Sequence, residues 1–301
     1  MNWCRAAGNS FFLVRLKSEA CQLSHVMKIK RALQYLLVND VCWFLLRPVT
    51  YIAKRLELSR ENFLWRKQED ANEALCKKLF ESKTVLNGPF KGMRMGDIRP
   101  TGSSIYSKLL GSYESEIMPE LAKLLGQKYD YLINVGSDEG YYAVGIARLQ
   151  AGIKVYAFDC SVAAQERCKS LAVLNNVSDQ IATQGCFNER DLHTVTANER
   201  SLFIIDCEGC ENAILTASLI QSFTSADFII ELHFERDPLI AEKLQAFFAP
   251  THNVGLVRGL SDHERVMQYD FTEISGLDYE QKRYILNERN NFMQWLIATP
   301  R

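Results

Sequence analysis

Two short stretches carry acids and an imidazole at spacings suited to proton chemistry. Phe203-Ile204-Ile205-Asp206-Cys207-Glu208-Gly209 closes an apolar run with two carboxylates two positions apart. Side chains at that spacing on an extended segment project the same way. Ile229-Ile230-Glu231-Leu232-His233 repeats the arrangement with an acid and an imidazole. Placed at the ends of neighbouring strands, these four groups would form a reaction centre, with His233 and Asp206 as candidate bases and Glu208 and Glu231 as orienting or metal-binding groups. Clustered carboxylates suit magnesium or calcium, but acids at strand ends need no ion, so a divalent cation is compatible with the cluster and not expected.

A third stretch supplies a ligand loop. Tyr131-Leu132-Ile133-Asn134-Val135 is a short apolar run, Gly136-Ser137-Asp138-Glu139-Gly140 follows, and an apolar-periodic segment begins at once from Tyr141. That order reads as a buried strand, a tight turn and the first turns of a helix, the place where α/β folds hold nucleotide-like cofactors. In the dinucleotide fingerprint a second glycine approaches the pyrophosphate. Here Asp138 stands in its place, and two carboxylates in the loop are expected to repel phosphates. A phosphate-free cation with an adenosine tail, S-adenosylmethionine, suits such a loop better. Asp159, 23 positions after Gly136 at the end of the next apolar run, is spaced to hydrogen-bond ribose hydroxyls.

These residues need strands and helices in alternation. Strands are expected at Tyr131–Val135, Lys154–Phe158, Gln180–Gly185, Ser201–Asp206 and Asp227–Leu232, with helices at Tyr141–Gln150, Val162–Asn175, Glu211–Ser222 and Pro238–Phe248. Such alternation specifies a parallel sheet covered on both faces. Asn253–Val257 and Phe292–Thr299 are candidate final strands forming a mixed edge, separated by a charged insertion from Ser261 to Asn291. The fold class is therefore α/β, doubly wound and Rossmann-like, with a mostly parallel seven-stranded sheet and a helical N-terminal extension. Three segments are expected: a basic helical extension over 1–80, an entry or cap segment over 81–128, and the ligand-binding domain over 129–301. Within the extension Leu33, Leu36, Leu37, Val41, Phe44 and Leu45 recur at helical spacing, Pro48 is expected to interrupt, and a charged helix is expected from Leu58 to Phe80.

Taken together, Gly111-Ser112-Tyr113-Glu114, Asn134-Val135-Gly136-Ser137-Asp138-Glu139-Gly140, Phe158-Asp159, Asn175-Asn176-Val177, Asp206-Cys207-Glu208-Gly209-Cys210-Glu211 and Glu231-Leu232-His233 resemble the FkbM-like methyltransferases, class I S-adenosylmethionine-dependent enzymes that often O-methylate sugars and other hydroxylated products. The resemblance covers roughly residues 108–233. It implies that Gly136 and Gly140 shape the cofactor loop, that Glu139 sits near the methionine moiety and Asp159 on the ribose, and that Asp206 and Glu208 face the transfer site. Glu114, Asn134 and Ser137 join the implied cofactor-binding set, and Asp206 belongs to both sets. The first strand more often ends in Asp-Val-Gly. Asn134 keeps an acceptor for the cofactor's ammonium but lacks the charge. The implied acceptor is a small molecule or glycan.

Charge and cysteine usage bound the remaining readings. Residues 1–67 hold 12 Lys+Arg against 4 Asp+Glu in a chain whose formal net charge is −1, so a basic segment precedes an acidic body. That asymmetry makes peripheral contact of residues 1–67 with an anionic membrane a candidate. It disfavours nucleic acid as substrate, because the body lacks a basic groove with interleaved aromatics. Nine cysteines without framework spacing point to a reducing compartment and a cytoplasmic protein. Cys207-x-x-Cys210 is read as ordinary small residues, with Cys207 buried between two acids. Met1 to Ser10 lacks the order of a secretion signal, and the apolar run Ala32–Leu46 is shorter than the roughly 20 residues that cross a bilayer. Two competing functions remain: a nicotinamide-dependent oxidoreductase, which the loop acids oppose, and a catalytically silent cofactor-binding scaffold docked through its basic end.

Overall fold

In a computed structural model of the chain, residues 28–35, 40–98, 100, 103–192, 195, 199–288 and 293–301 are described. The expectations for Met1–Ser10, for Leu36-Leu37 and for the first residue of the Phe292–Thr299 strand lie outside them. The chain divides into two compact units, Met1–Ala71 and Asn72–Arg301. Residues 81–128 belong to the same unit as the sheet that follows.

In the first unit residues 28–35 are helical, and a helix, α1 (Asp40–Leu79), begins. It runs through Pro48 without a break, which corrects the expected interruption. Proline removes one backbone donor, but the residues around it keep helical geometry. No helix among the described residues is long and apolar enough to cross a membrane.

The second unit is built on seven strands: β1 (Tyr131–Val135), β2 (Lys154–Phe158), β3 (Ile181–Gln184), β4 (Ser201–Ile205), β5 (Asp227–Glu231), β6 (His252–Arg258) and β7 (Gln294–Pro300). Their order is β3-β2-β1-β4-β5-β7-β6. The first five are parallel, and β7 inserts antiparallel to both β5 and β6. This is the expected doubly wound, mostly parallel seven-stranded sheet with a mixed edge. The helices are α2 (Ile105–Leu110), α3 (Met118–Leu125), α4 (Tyr141–Leu149), α5 (Val162–Leu174), α6 (Glu211–Ile214), α7 (Ala217–Ser222), α8 (Ile240–Phe248), α9 (Asp262–Gln268) and α10 (Tyr279–Leu286). The single helix expected over Glu211–Ser222 is two, because Thr216 turns extended and its side chain caps the second by accepting from Leu219 N.

Strands β1, β4 and β5 are buried along their whole length, as central parallel strands covered on both faces must be. Their side chains alternate between two cores. Leu132, Leu202, Ile204 and Ile229 join one with α4 and α5. Ile133, Phe203, Ile205, Phe228 and Ile230 join the other with α7 and α8. The charged insertion folds as α9 and α10 and is tied to the body by Arg265, whose side chain is 3% exposed and lies 3.0 Å from both Glu116 and Glu288. A buried cation between two buried carboxylates is costly to break, since removal of one partner strands the others' charge. Arg265→Ala should therefore lower unfolding stability by about 3–5 kcal/mol in urea titration. Arg258→Ala, which breaks the exposed Arg258–Glu264 pair, should shift the midpoint far less.

Candidate functional site

Parallel pairing brings the strand ends to one level. Val135 pairs with Phe158 on one side and Ile205 on the other. Past the strands, Gly136 N and Ser137 N both donate to Phe158 O, and Asp206 N donates to Val135 O. The loop after β1, Asp159 after β2 and Asp206 after β4 thus meet at the carboxyl edge of the sheet, where open α/β folds bind ligands. Gly136 (φ +79°) is required there because a Cβ would collide with the backbone carbonyl of Asp206. Gly140 (φ +92°) is required because a Cβ would lie 2.6 Å from Cys168 Sγ on α5.

A cavity of about 520 Å³ opens at this edge, and Asn134, Gly136, Ser137, Glu139, Asp159, Asp206 and Glu208 contribute to its wall, a size typical of small-molecule and cofactor sites. Glu114, Gly140, Glu231 and His233 lie outside that lining. Glu114, buried, accepts a hydrogen bond from Tyr142 Oη. Asn134 Oδ1, Ser137 Oγ and Glu139 Oε2 are buried atoms of the wall with no hydrogen-bond partner. The Asn134 amide is held in place by Nδ2, which donates to Ile204 O at 3.3 Å. Buried polar atoms are nearly always satisfied in native proteins, so these acceptors around one cavity indicate where a ligand donates. Asp159 accepts from Asp138 N through Oδ2 (2.9 Å) and from Ser161 N through Oδ1 (2.8 Å). It braces the loop while each oxygen keeps a second lone pair.

The two loop acids are not bare. Glu139 Oε1 lies 2.5 Å from Lys108 Nζ, both side chains almost fully buried, and the ammonium also sits 4.5 Å from the Tyr113 ring centroid and 5.3 Å from that of Tyr141. Burial drives the Glu139 carboxyl above its usual range and Lys108 pulls it back. Arg167 from α5 pairs with Asp138 at 2.5 Å. The expected repulsion of phosphates by these acids is therefore offset by two cations. What still separates the loop from the dinucleotide fingerprint is the side chain of Asp138, at φ +38°, where backbone would have to approach a pyrophosphate.

At the rim of the cavity the acid and imidazole stretches converge. His233 is 5% exposed; its Nδ1 lies 2.8 Å from Glu211 Oε1, while Nε2 is 3.7 Å from Asp206 Oδ1 and 3.5 Å from Glu208 Oε2. Glu231, Glu114 and Asp206 form an adjoining group in which one carboxylate oxygen of each lies within 4.8 Å of the others. Glu208 adopts φ +56°, an uncommon conformation for a residue with a Cβ, followed by Gly209 in the same region. The cysteines differ from expectation. Cys160 pairs with Cys186 and Cys207 with Cys210, at Cα separations of 4.4 and 5.5 Å, and all four line the cavity. Cys207 is half-buried rather than enclosed. The ends of β2 and β3 bring together Cys160 and Cys186, 26 positions apart, whereas Cys207 and Cys210 are three apart in the loop after β4.

Sequence reasoning missed Lys108, Arg167 and Glu211. A lysine inside the apolar run Tyr106–Leu110 and an acid directly after Cys210 were signals for two of them; nothing local marks Arg167. Burial disfavours protonated His233, but hydrogen bonding to Glu211 and the charges of Glu211, Asp206 and Glu208 outweigh it and hold its pKa above the ordinary imidazole value. With a folded pKa above the unfolded one, the stabilisation is complete below about pH 6.5 and is lost as pH rises through the folded value. An NMR titration of the metal-free chain should place the His233 midpoint above about 6.5, and Glu211→Gln should move it down.

No family model matches the chain, and no curated protein matches it. Among solved structures, an O-methyltransferase from Bacillus cereus in complex with SAH aligns with TM-score 0.42 at 12% identity, covering 63% of this chain and 81% of that one. An rRNA methylase from Streptococcus thermophilus aligns with TM-score 0.42 at 11% identity over 62% and 97% of the two chains. The O-methyltransferase TomG from Streptomyces achromogenes aligns with TM-score 0.39 at 9% identity over 63% and 80%. The chain's own strand order, with β7 antiparallel between β5 and β6, is that of the Rossmann-like class I methyltransferase fold.

Proposed function

We propose that the chain is an S-adenosylmethionine-dependent methyltransferase of FkbM-like type that O-methylates a sugar, glycan or other small hydroxylated acceptor. The observation that carries this reading is the set of unpartnered acceptors, Asn134 Oδ1, Ser137 Oγ and Glu139 Oε2, around a cavity that also holds Asp159. They fit the cofactor's donors: the ammonium suits Asn134 and Glu139, and the ribose hydroxyls suit Asp159. When bound, S-adenosylmethionine supplies an electrophilic methyl group on a sulfonium, which an acceptor oxygen takes by in-line displacement. The chain's own residues do the rest. Gly136 and Gly140 shape the cradle, and the Lys108–Glu139 and Arg167–Asp138 pairs keep its charge near neutral. A hydroxyl is a poor nucleophile until its proton leaves, and the Asp206, Glu208 and His233 cluster stands where that proton would be taken. Glu231 and Glu114, buried behind Asp206, orient it.

Calorimetric titration should give saturable binding of S-adenosylmethionine, and Asp159→Ala should weaken it by about tenfold or more, the loss of a charged hydrogen-bond acceptor. Binding of NAD without S-adenosylmethionine would replace this reading with the oxidoreductase. Cofactor binding without turnover on any hydroxylated acceptor would favour the scaffold.

A second reading concerns residues 1–67 and peripheral membrane contact. Phe44, Tyr51, Leu56, Phe63 and Trp65 of α1 are exposed among Arg47, Lys54, Arg55 and Arg60, and exposed apolar side chains beside cations suit an anionic lipid surface. Deletion of residues 1–67 should abolish sedimentation with phosphatidylserine vesicles; unchanged sedimentation rejects the contact.

A further inference from the structure

His233 is positioned in a way that its neighbours alone do not explain. Glu211, 2% exposed, fixes the ring by accepting from Nδ1 at 2.8 Å, which leaves Nε2 pointed at Asp206 and Glu208. That nitrogen is buried and makes no hydrogen bond. Its separations from Asp206 Oδ1 and Glu208 Oε2, 3.7 and 3.5 Å, are too long for direct hydrogen bonds. They are the right separations for atoms that share a common ion, because ligands about 2.1 Å from one metal lie roughly 3–4 Å apart. One ligand atom from each of the three residues falls within 4.8 Å of the others. A buried carboxylate that orients the distal side of a histidine is the usual support of a metal-bound imidazole.

We propose that Asp206, Glu208 and His233 form a divalent-cation site, with Glu211 as the positioning residue behind His233. The residue order alone leaves a divalent cation compatible with the cluster but not expected. Two carboxylates and an imidazole form a mixed donor set, which suits Mn²⁺, Fe²⁺ or Zn²⁺ better than Mg²⁺ or Ca²⁺. Three protein ligands leave coordination positions open, and Asp206 and Glu208 both border the cavity, so the open side faces an incoming acceptor. The ion's use rests on the methyltransferase reading. An acceptor hydroxyl bound there would lose its proton to water more easily, with its oxygen lone pair turned toward the cavity. His233 then serves as a ligand and not as the base. The neighbouring group of Glu114, Asp206 and Glu231 lacks an imidazole and supports the site through Asp206.

The test titrates the full-length, metal-stripped chain with Mn²⁺ and follows the paramagnetic resonance signal of the free ion, together with broadening of the His233 ring resonances. The wild-type chain should take up one ion per chain and lose the His233 signals. His233→Ala and Glu208→Gln should each weaken uptake by about tenfold or more. Glu208 is 72% exposed, so its variant removes a ligand without opening the core. Glu211→Gln should weaken uptake less than loss of a ligand does. No uptake by the wild-type chain, or uptake by both ligand variants as tight as that of the wild-type chain, overturns the site. S-adenosylmethionine titration of the same samples separates the two readings. Cofactor binding without Mn²⁺ uptake rejects only the ion, and Mn²⁺ uptake at the cluster without cofactor binding rejects only the methyltransferase.

Discussion

Hydrogen bonding from β1 to its two parallel neighbours ends at the same level on both sides, with Val135 opposite Phe158 and Ile205, and the candidate site depends on that shared edge. Because the register holds to the last residue, the chain leaves three strands side by side and at once. Gly136 can then cross against the Asp206 carbonyl, where any side chain would collide. A shift of one residue in either pairing would move Asp159 or Asp206 by a strand step of about 3.3 Å and turn it to the other face. The cavity is a consequence of backbone pairing before it is a consequence of side-chain chemistry.

Charge is then balanced locally rather than across the surface. The loop acids each meet a cation brought by another element, Lys108 from α2 and Arg167 from α5, while the cluster beyond is left acidic around one imidazole. A near-neutral loop thus lies beside an acidic cluster. Buried charges of this kind are costly to desolvate and are tolerated when paired with good geometry. Lys108 meets that condition by contacting a carboxylate and two aromatic faces together. The Arg265 cluster with Glu116 and Glu288 does the same at the insertion, tying α9 to the segment that precedes the sheet.

Much of this was legible in the residue order, because each signal was local. Apolar runs of strand length ending in glycine or an acid located β1, β2, β4 and β5, since buried parallel strands must be apolar on both faces. The order of the residues put Asp206 just after β4 and Glu231 at the end of β5, although Glu208 lies past the strand in a left-handed conformation that spacing by two does not foresee. The expected break at Pro48 and the single helix over Glu211–Ser222 were misjudged, because continuity of a helix depends on how flanking turns and caps settle and not on one residue's preference. The Cys160–Cys186 pair was not legible for a similar reason. Sequence separation says little about whether two thiols meet at a sheet edge.

By itself the residue order determined the alternation of strands and helices, the glycine loop and the identities of the groups that gather after it. Those features follow from short-range periodicity and backbone sterics. Only the tertiary structure decided the partners: Lys108 on Glu139, Arg167 on Asp138, Glu211 behind His233, and the thiol pairs around the cavity. All but the Cys207–Cys210 pair, which lies within one loop, join residues from different elements. Pairing across elements is set by helix packing against a registered sheet, a long-range constraint that no local pattern encodes.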